Sequence, residues 1–477
     1  PLEPARRESL LDRALDDKLA RTVDRVYRLL GLLYGIDDVA AARFSIEQAE
    51  PRRRAAAIEY LDNVLSGTLR KRVLPLLENA PLADQVRHAN HVLKTRPRDV
   101  EDTLAQLVHE EDPVVAAAAI HFVARKGMWA LEDDLRFVLQ RRDPEERLVV
   151  EAASWAIDVR HRPGGLRDGG AASLPIVELA DRLRGVVAFQ FVSVEELFRL
   201  AEMGEEARHS PNHELHHASA VLDRVEILIE GAVRVGSDDD GATEIHAPYA
   251  IGVEDVLQSA PARASVRCVG HASTVRIRAS DFMTMVSDNA LLAQGLFRML
   301  LAPSGHGVSR PVDAMVTVDT PWRERSGPLQ PVDQALLLRQ HPLLGRATAA
   351  QLLELVGAAR AVSLDRGRVL FSDEEPASLF LLLDGRVRLE RDGYAPLDAS
   401  AGATVGVAET LAGVPSGWRA SVTEGGRALR LDRQDLFAVL TDHIELMQGL
   451  FSGVLSLRDR QRVPQVVEEP AVGTSRV

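Results

Sequence analysis

The sequence predicts a multidomain α plus α+β protein, an N-terminal α-solenoid followed by two β-roll domains with flanking helices. Three observations predict it. The stretch from Glu226 to Val266 recurs from Phe380 to Val422, prolines mark off a helical repeat ahead of it, and an amphipathic helix opens the chain.

The duplication is read directly from the residues. Ile-Glu-Gly-Ala-Val-Arg-Val at 229–235 answers Leu-Asp-Gly-Arg-Val-Arg-Leu at 383–389, which sets Gly231 against Gly385 at an offset of 154 (385 − 231). Gly252 and Gly406, Pro261 and Pro415, Arg276 and Arg430, Asp281 and Asp435, and the Gly-Leu-Phe runs at 295 and 449 keep that offset. Both copies contain Arg-Ala-Ser-Val, which aligns Arg263 with Arg419 if a two-residue insertion precedes Arg419 and is undone between Val422 and Leu429. Alternation at Val225, Ile227 and Ile229 predicts half-buried strands, and Gly231 and Gly385 fall where a hairpin needs positive φ. A helix closes each copy, near 281–300 and 435–457. The copies are assigned to 174–302 and 331–457, joined by a linker at 303–330 and followed by a polar tail at 458–477.

Residues 1–36 are read as one long amphipathic helix, with Leu11, Leu15, Leu19, Val23, Val26, Leu30 and Leu33 at helical spacing before Gly35. It is expected to pack on the next domain, with an interaction helix as the alternative. From 37 to 160, Pro51, Pro81, Pro113 and Pro144 stand 30, 32 and 31 residues apart. Glu50, Asp112 and Asp143 precede three of them, and an acidic residue before Pro supplies an N-cap and a first helical position. Ala-Ala-Ala-Ile begins four residues after two of these prolines, at Ala55 and Ala117, where small side chains let helices stack closely. Basic runs at Arg52, Arg53, Arg54 and at Arg70, Lys71, Arg72 suit solvated helix ends, or an acidic partner or membrane surface. The Gly- and Pro-rich stretch from His161 to Ser173 reads as a hinge.

Composition narrows the function classes. At 477 residues with 46% hydrophobic and 27% charged residues, the chain has the make-up of a folded protein of about three domains. A net charge of −13 argues against a bulk nucleic-acid binder, which needs a basic footprint. The single cysteine, Cys268, forms no internal disulfide and reads as a small buried hydrophobe. No apolar run reaches a membrane span, and the best, 114–123, contains His121. The chain begins Pro-Leu-Glu-Pro, without a signal-peptide pattern or initiating Met, and is expected to be a piece of something longer. His213-Glu214-Leu215-His216-His217, with His209 nearby, matches the zinc-protease pattern H-E-x-x-H, but the repeat places it in an early strand. There Glu214 points away from the face shared by residues four apart, so a catalytic zinc site is not expected, and an adventitious metal site is the alternative to none. With no Ser/His/Asp constellation, P-loop or dinucleotide fingerprint elsewhere, no enzyme is expected.

Both copies resemble the cyclic-nucleotide-binding domain family. That family opens a short helix with Gly-Glu and places Pro-Arg about ten residues later. The resemblance implies that helix-end amides and the Arg hold a cyclic phosphate while the Glu accepts from the ribose 2′-hydroxyl. In the first copy, Ile-Gly-Val-Glu-Asp-Val-Leu-Gln-Ser-Ala-Pro-Ala-Arg-Ala-Ser-Val (251–266), Val253 takes the Glu position and Ala262 the Arg position. In the second, Val407 replaces the Glu and Arg419 is displaced. The ligand residues so implied are Gly252, Glu254, Arg263, Ala264 and Ser265, and in the second copy Gly406, Glu409, Trp418, Arg419, Ala420 and Ser421. The ligand implied is a cyclic nucleotide, cyclic AMP or cyclic GMP, with no metal and no other cofactor. Asp255 and Glu409 share a register. The second copy is the expected site, because Glu409, a longer loop before Arg419 and the ring of Trp418 come together there. The alternative is that Trp418 plugs an emptied pocket.

The helical units resemble HEAT repeats. With the long helix before it, the stretch from Leu61-Asp62-Asn63-Val64-Leu65 to Arg70-Lys71-Arg72-Val73-Leu74-Pro75-Leu76-Leu77 resembles the soluble region that follows the membrane domain in bacterial ADP/ATP-translocase-like, major-facilitator-type transporters. That resemblance implies a non-catalytic cytoplasmic regulatory region, membrane-associated through an absent N-terminal membrane domain, whose helical repeats meet the transporter or another protein. The tail is too short for the helix-turn-helix of cyclic-nucleotide-dependent transcription factors. Two function classes follow. One is a sensor whose small nucleotide ligand shifts the solenoid against its partner. The other is a ligand-free interaction or homodimerisation scaffold, which Val253 and Val407 favour.

Overall fold

A capping box opens the first helix: the Ser9 side chain accepts from the Asp12 N–H while Asp12 accepts from the Ser9 N–H, starting α1 (Leu10–Tyr34). The structure, a computed structural model, describes residues 9–47, 51–77, 82–94, 98–141, 146–161, 174–236, 242–301, 330–341, 343–345, 347–372 and 378–461. It divides into two units, Pro1–Leu179 with Ser193–Phe198, and Ala180–Val192 with Arg199–Val477.

The first unit is helical. After α1 come α2 (Ile36–Glu47), α3 (Pro51–Val64), α4 (Gly67–Leu77), α5 (Leu82–Leu93), α6 (Val100–Val108), α7 (Pro113–Lys126), α8 (Glu132–Arg141), α9 (Arg147–His161) and the start of α10 (Ile176–Leu183). Sequence neighbours pack together, α1 on α2, α2 on α3, α6 on α7 and α8 on α9, and α1 also reaches α7. The α1 stripe is covered unevenly: Leu11 and Leu30 are buried, whereas Leu19 and Leu33 are 59% and 67% exposed. Asp112 caps α7 by accepting from the N–H groups of Val114 and Val115, with Pro113 as the first helical residue. The Ala-Ala-Ala-Ile run is wholly buried in α7, but in α3 Ala55 and Ala56 are exposed. Glu50, Pro81, Asp143, Pro144 and the hinge residues 162–173 lie outside the described residues.

Helix α7 also carries a buried charge network. The Glu178 side chain, 3% exposed, accepts from Arg125 Nη2 at 2.6 Å and lies 3.0 Å from His121 Nε2. The His121 ring stacks on Trp155. Glu178→Ala would leave the buried His121 ring nitrogen without its hydrogen-bond partner, and a loss of about 1–3 kcal/mol of stability is expected in denaturant unfolding. A loss under about 1 kcal/mol would mark the network as no stronger than a surface pair.

The second unit contains two β-rolls. The first follows α11 (Val194–Met203), whose N-terminal half falls in the first unit, and runs β1 (Glu205–His209), β2 (Glu214–His216), β3 (Arg224–Glu230), β4 (Ala232–Val235), β5 (Thr243–His246), β6 (Tyr249–Ile251), α12 (Val253–Gln258), β7 (Val266–Cys268), β8 (Ala272–Arg278), α13 (Ala279–Asp288) and α14 (Ala290–Leu301). The second runs α15 (Pro331–Gln340), α16 (Ala349–Ala358), β9 (Arg360–Leu364), β10 (Val369–Phe371), β11 (Leu379–Leu382), β12 (Arg386–Glu390), β13 (Leu397–Ser400), β14 (Thr404–Val405), α17 (Val407–Ala412), β15 (Arg419–Glu424), β16 (Gly426–Leu431), α18 (Arg433–Asp442) and α19 (Ile444–Gln461). Each roll pairs two four-stranded antiparallel sheets in one order, β1-β8-β3-β6 with β2-β7-β4-β5, and β9-β16-β11-β14 with β10-β15-β12-β13.

Strand pairing fixes which residues correspond. Glu226 stands opposite Arg276 as Phe380 stands opposite Arg430, and Val233 opposite Cys268 as Val387 opposite Val422. The 154-residue offset therefore runs straight through β7 and β15. This corrects the insertion expected before Arg419: the two Arg-Ala-Ser-Val runs sit two residues out of step, because ladder register and not local identity sets the alignment. Arg419 is the counterpart of Ser265, and Trp418 of Ala264. Gly231 and Gly385 do share a turn, at φ +91° and +85°, where a Cβ would meet the carbonyl oxygens of His271 and Glu424 at 2.5 and 2.7 Å.

The rolls are joined by an exchange of closing helices. Helix α14 of the first packs on α17 of the second, while α19 of the second packs on α12 of the first. Phe297 stacks on its own repeat counterpart, Phe451, with centroids 4.0 Å apart. Arg433 Nη2 bonds Gln294 Oε1 at 2.9 Å and its Nη1 bonds the Thr410 carbonyl at 3.2 Å. The two copies thus form an approximately two-fold pair within one chain.

Candidate functional site

The cassettes begin alike. Gly252 and Gly406, both left-handed, precede the short helices α12 and α17. Val253 and Val407, where the family pattern has its Glu, are 1% and 0% exposed and point into packed surroundings. In the first copy Arg263 is exposed, bonds Gln258 Oε1 at 2.5 Å and lies 3.6 Å from Asp255 Oδ1. Ala262 is buried and joined by backbone bonds to Ser219 and Ala220 in the β2–β3 loop. Glu254, Ala264 and Ser265 are half-buried, and the Ser265 hydroxyl donates to the Gly236 carbonyl at 3.2 Å. In the second copy Arg419 is exposed at the start of β15, opposite Glu390. Ala420 is buried, Ser421 is half-buried, and Trp418 is 2% exposed within the roll's apolar cluster. The structure brings Glu409 and Trp418 to one loop, both tied to the Ser416 hydroxyl, and leaves Arg419 outside it.

The shared acids are both buried. Burial pushes the Glu409 carboxyl above its ordinary range, opposed by the Ser416 hydroxyl bond. Burial likewise raises Asp255, opposed by the Arg263 charge. Asp255 Oδ1 and Glu409 Oε2 have no hydrogen-bond partner, a state that buried polar atoms rarely keep.

The rolls differ in what fills them. A cavity of about 540 Å³ enters the first, lined among others by His209, His213, His216, Glu226, Ile251 and Arg276. Behind its wall the fully buried Thr274 hydroxyl donates to Glu226 Oε2 at 2.7 Å, and so accepts from His209 Nε2–H at 2.9 Å. His209 stacks on His213 at 4.9 Å. Burial lowers the affinity of His209 and His216 for protons, and both His216 ring nitrogens are buried without partners. By ladder register the second roll has Leu364 for His209, Phe371 for His216, Phe380 for Glu226, Ala428 for Thr274 and Trp418 for Ala264. Those five residues belong to a single packed apolar cluster. The fold is therefore satisfied by apolar residues where the first copy holds a carboxylate, a hydroxyl and two imidazoles.

Sequence reading missed Glu226 and Thr274. The signal was present as a polar residue in one copy facing an apolar one in the other, once strand register had fixed the pairing. The H-E-x-x-H residues lie in the β1–β2 loop, strand β2 and the residue just after it rather than in a helix. Among the described residues no three His, Cys, Asp or Glu side chains are grouped to hold a metal ion. Cys268 is a buried core residue, as expected. No helix among the described residues is long and apolar enough to cross a membrane.

No family model matches the sequence, and no curated protein matches it. Solved structures do. The regulatory domain of Toxoplasma gondii PKA with cAMP is 15% identical, covering 59% of this chain and 96% of that one at a TM-score of 0.24. The regulatory subunit of a cAMP-independent protein kinase A from Trypanosoma brucei is 14% identical, covering 64% and 94% at 0.27. That from Trypanosoma cruzi, bound to guanosine, is 15% identical, covering 61% and 92% at 0.26. Likeness at this level transfers no residue's role to the present chain.

Proposed function

We propose that the chain is a non-catalytic regulatory module in which the first β-roll takes a small ligand and the second is a packed structural partner. One observation carries the reading: the first roll holds a polar cavity where the second, at the same strand positions, holds Trp418, Phe371 and Phe380. A volume of about 540 Å³ falls within the range of small-molecule sites. This reverses the expectation that the second copy is the ligand site. The exchanged helices couple the ligand-taking roll to the second, because α19 of the second roll rests on α12 of the first. We further read the helical part as HEAT-type repeats through which a partner is engaged, a transporter's membrane domain in the resemblance above. A cyclic nucleotide remains a candidate ligand, but neither cassette offers the family's geometry. Loss of the ribose acceptor alone removes about 1.5–3 kcal/mol.

A second reading, a ligand-free scaffold, is favoured by the burial of Val253 and Val407. Thermal-shift and calorimetric titration of the purified chain with cyclic AMP, cyclic GMP, ATP and small amines separates the two. Binding that is lost in Glu226→Phe and kept in Arg419→Ala is expected. Binding lost only in Arg419→Ala would return the site to the second copy, and no binding by any probe would favour the scaffold.

A further inference from the structure

We propose that the first roll's cavity is a site for a small organic ammonium ion, held by Glu226 against the stacked rings of His209 and His213. The inference rests on the first roll being the ligand domain and adds the chemical class of its ligand.

Glu226 is a carboxylate inside a β-roll, 9% exposed, on the face that carries Leu228 of the core. Removing a carboxylate from water is costly unless a cation accompanies it. Its partners here are the Thr274 hydroxyl at 2.7 Å and, at 3.8 Å, His209, whose Nε2–H is already given to Thr274. The wall cations make their hydrogen bonds to other acids. Arg276, directly opposite on β8, directs Nη2 to Glu205 at 3.3 Å and leaves its buried Nε without a partner, and Arg224 is paired through two nitrogens with Asp223 at 2.9 and 3.0 Å. Arg263, the cassette cation, is spent on Gln258 and Asp255.

The repeat supplies the control. Phe380 occupies the position of Glu226 in the second roll, Ala428 that of Thr274 and Leu364 that of His209, so the second roll folds without the polar set. What the set offers is one buried carboxylate, a hydroxyl orienting it, and at its edge two imidazoles stacked on each other with centroids 4.9 Å apart and planes inclined by 20°. A compact cation fits this set, meeting the carboxylate by a charge-assisted hydrogen bond beside the imidazole rings. A phosphate would meet Glu226 as a like charge.

The test is calorimetric titration of the full chain with ethanolamine, putrescine and choline, with cyclic AMP and zinc chloride as comparison arms. At least one amine is expected to bind with a Kd below about 1 mM. Glu226→Gln, which keeps the shape and removes the charge, should weaken it at least tenfold, and His213→Ala several-fold. Circular dichroism and the thermal midpoint confirm that both variants are folded. Amine binding that survives Glu226→Gln, or zinc binding without amine binding, overturns the assignment. Cyclic AMP binding abolished by Glu226→Phe, with no heat from amines, overturns the ammonium assignment and keeps the first roll as the ligand domain. Silence from every probe overturns both.

Discussion

Trp418→Ala is expected to lower the stability of the second roll by about 3–5 kcal/mol, the cost of truncating a large buried aromatic when its surroundings cannot collapse. The ring is 2% exposed and belongs to one cluster with Phe371, Phe380, Leu389 and Ala420. Its Nε1 has no hydrogen-bond partner, so packing alone holds it. Tyr394 covers its edge at 5.6 Å, and the Arg391 guanidinium lies 4.8 Å over Tyr394. Chemical denaturation followed by fluorescence would read the change. A loss below about 1 kcal/mol would mean that the second roll is loosely filled, which the account does not permit.

Acidification is expected to remove about 3 kcal/mol of stability between pH 6.5 and 4 through His341 alone. The residue lies 2% exposed between α15 and the second roll, and burial lowers its pKa from 6.5 to about 4. Its hydrogen bonds fix the neutral tautomer. The Leu343 N–H donates to Nδ1 at 3.3 Å, so Nε2–H donates to Thr404 Oγ1 at 2.9 Å. Across this window the unfolded chain binds a proton that the folded chain does not, so stability falls with falling pH and levels off below the folded pKa. The denaturation midpoint of wild type should therefore fall faster than that of His341→Gln. Parallel curves would show that His341 is protonated in place.

Much of this fold was legible in the sequence because repetition is a strong signal. Gly231 and Gly385 marked the same turn, and the 154-residue offset survives in the ladders. The shared Arg-Ala-Ser-Val misled, since four identical residues weigh less in the chain than the pairing of Val266 with Val235 and of Ala420 with Leu389. That slip hid the contrast between Trp418 and Ala264. The cavity was out of reach for a different reason. Glu226 sits among Val225, Ile227 and Leu228 and reads as the outward position of a half-buried strand, whereas the roll closes over both faces of β3. The period of α1 was clear, but Leu19 and Leu33 show that period does not tell how much of a stripe is covered.

If the first roll keeps a polar cavity that its fold does not need, giving it the residues of the second should stabilise it. His209→Leu, Glu226→Phe and Thr274→Ala together, measured by chemical denaturation of the full chain, should raise stability by about 1–3 kcal/mol, as replacing a buried charged set with packed apolar groups often does. A loss of similar size would show that Glu226, Thr274 and His209 hold the roll together, and would contradict the account.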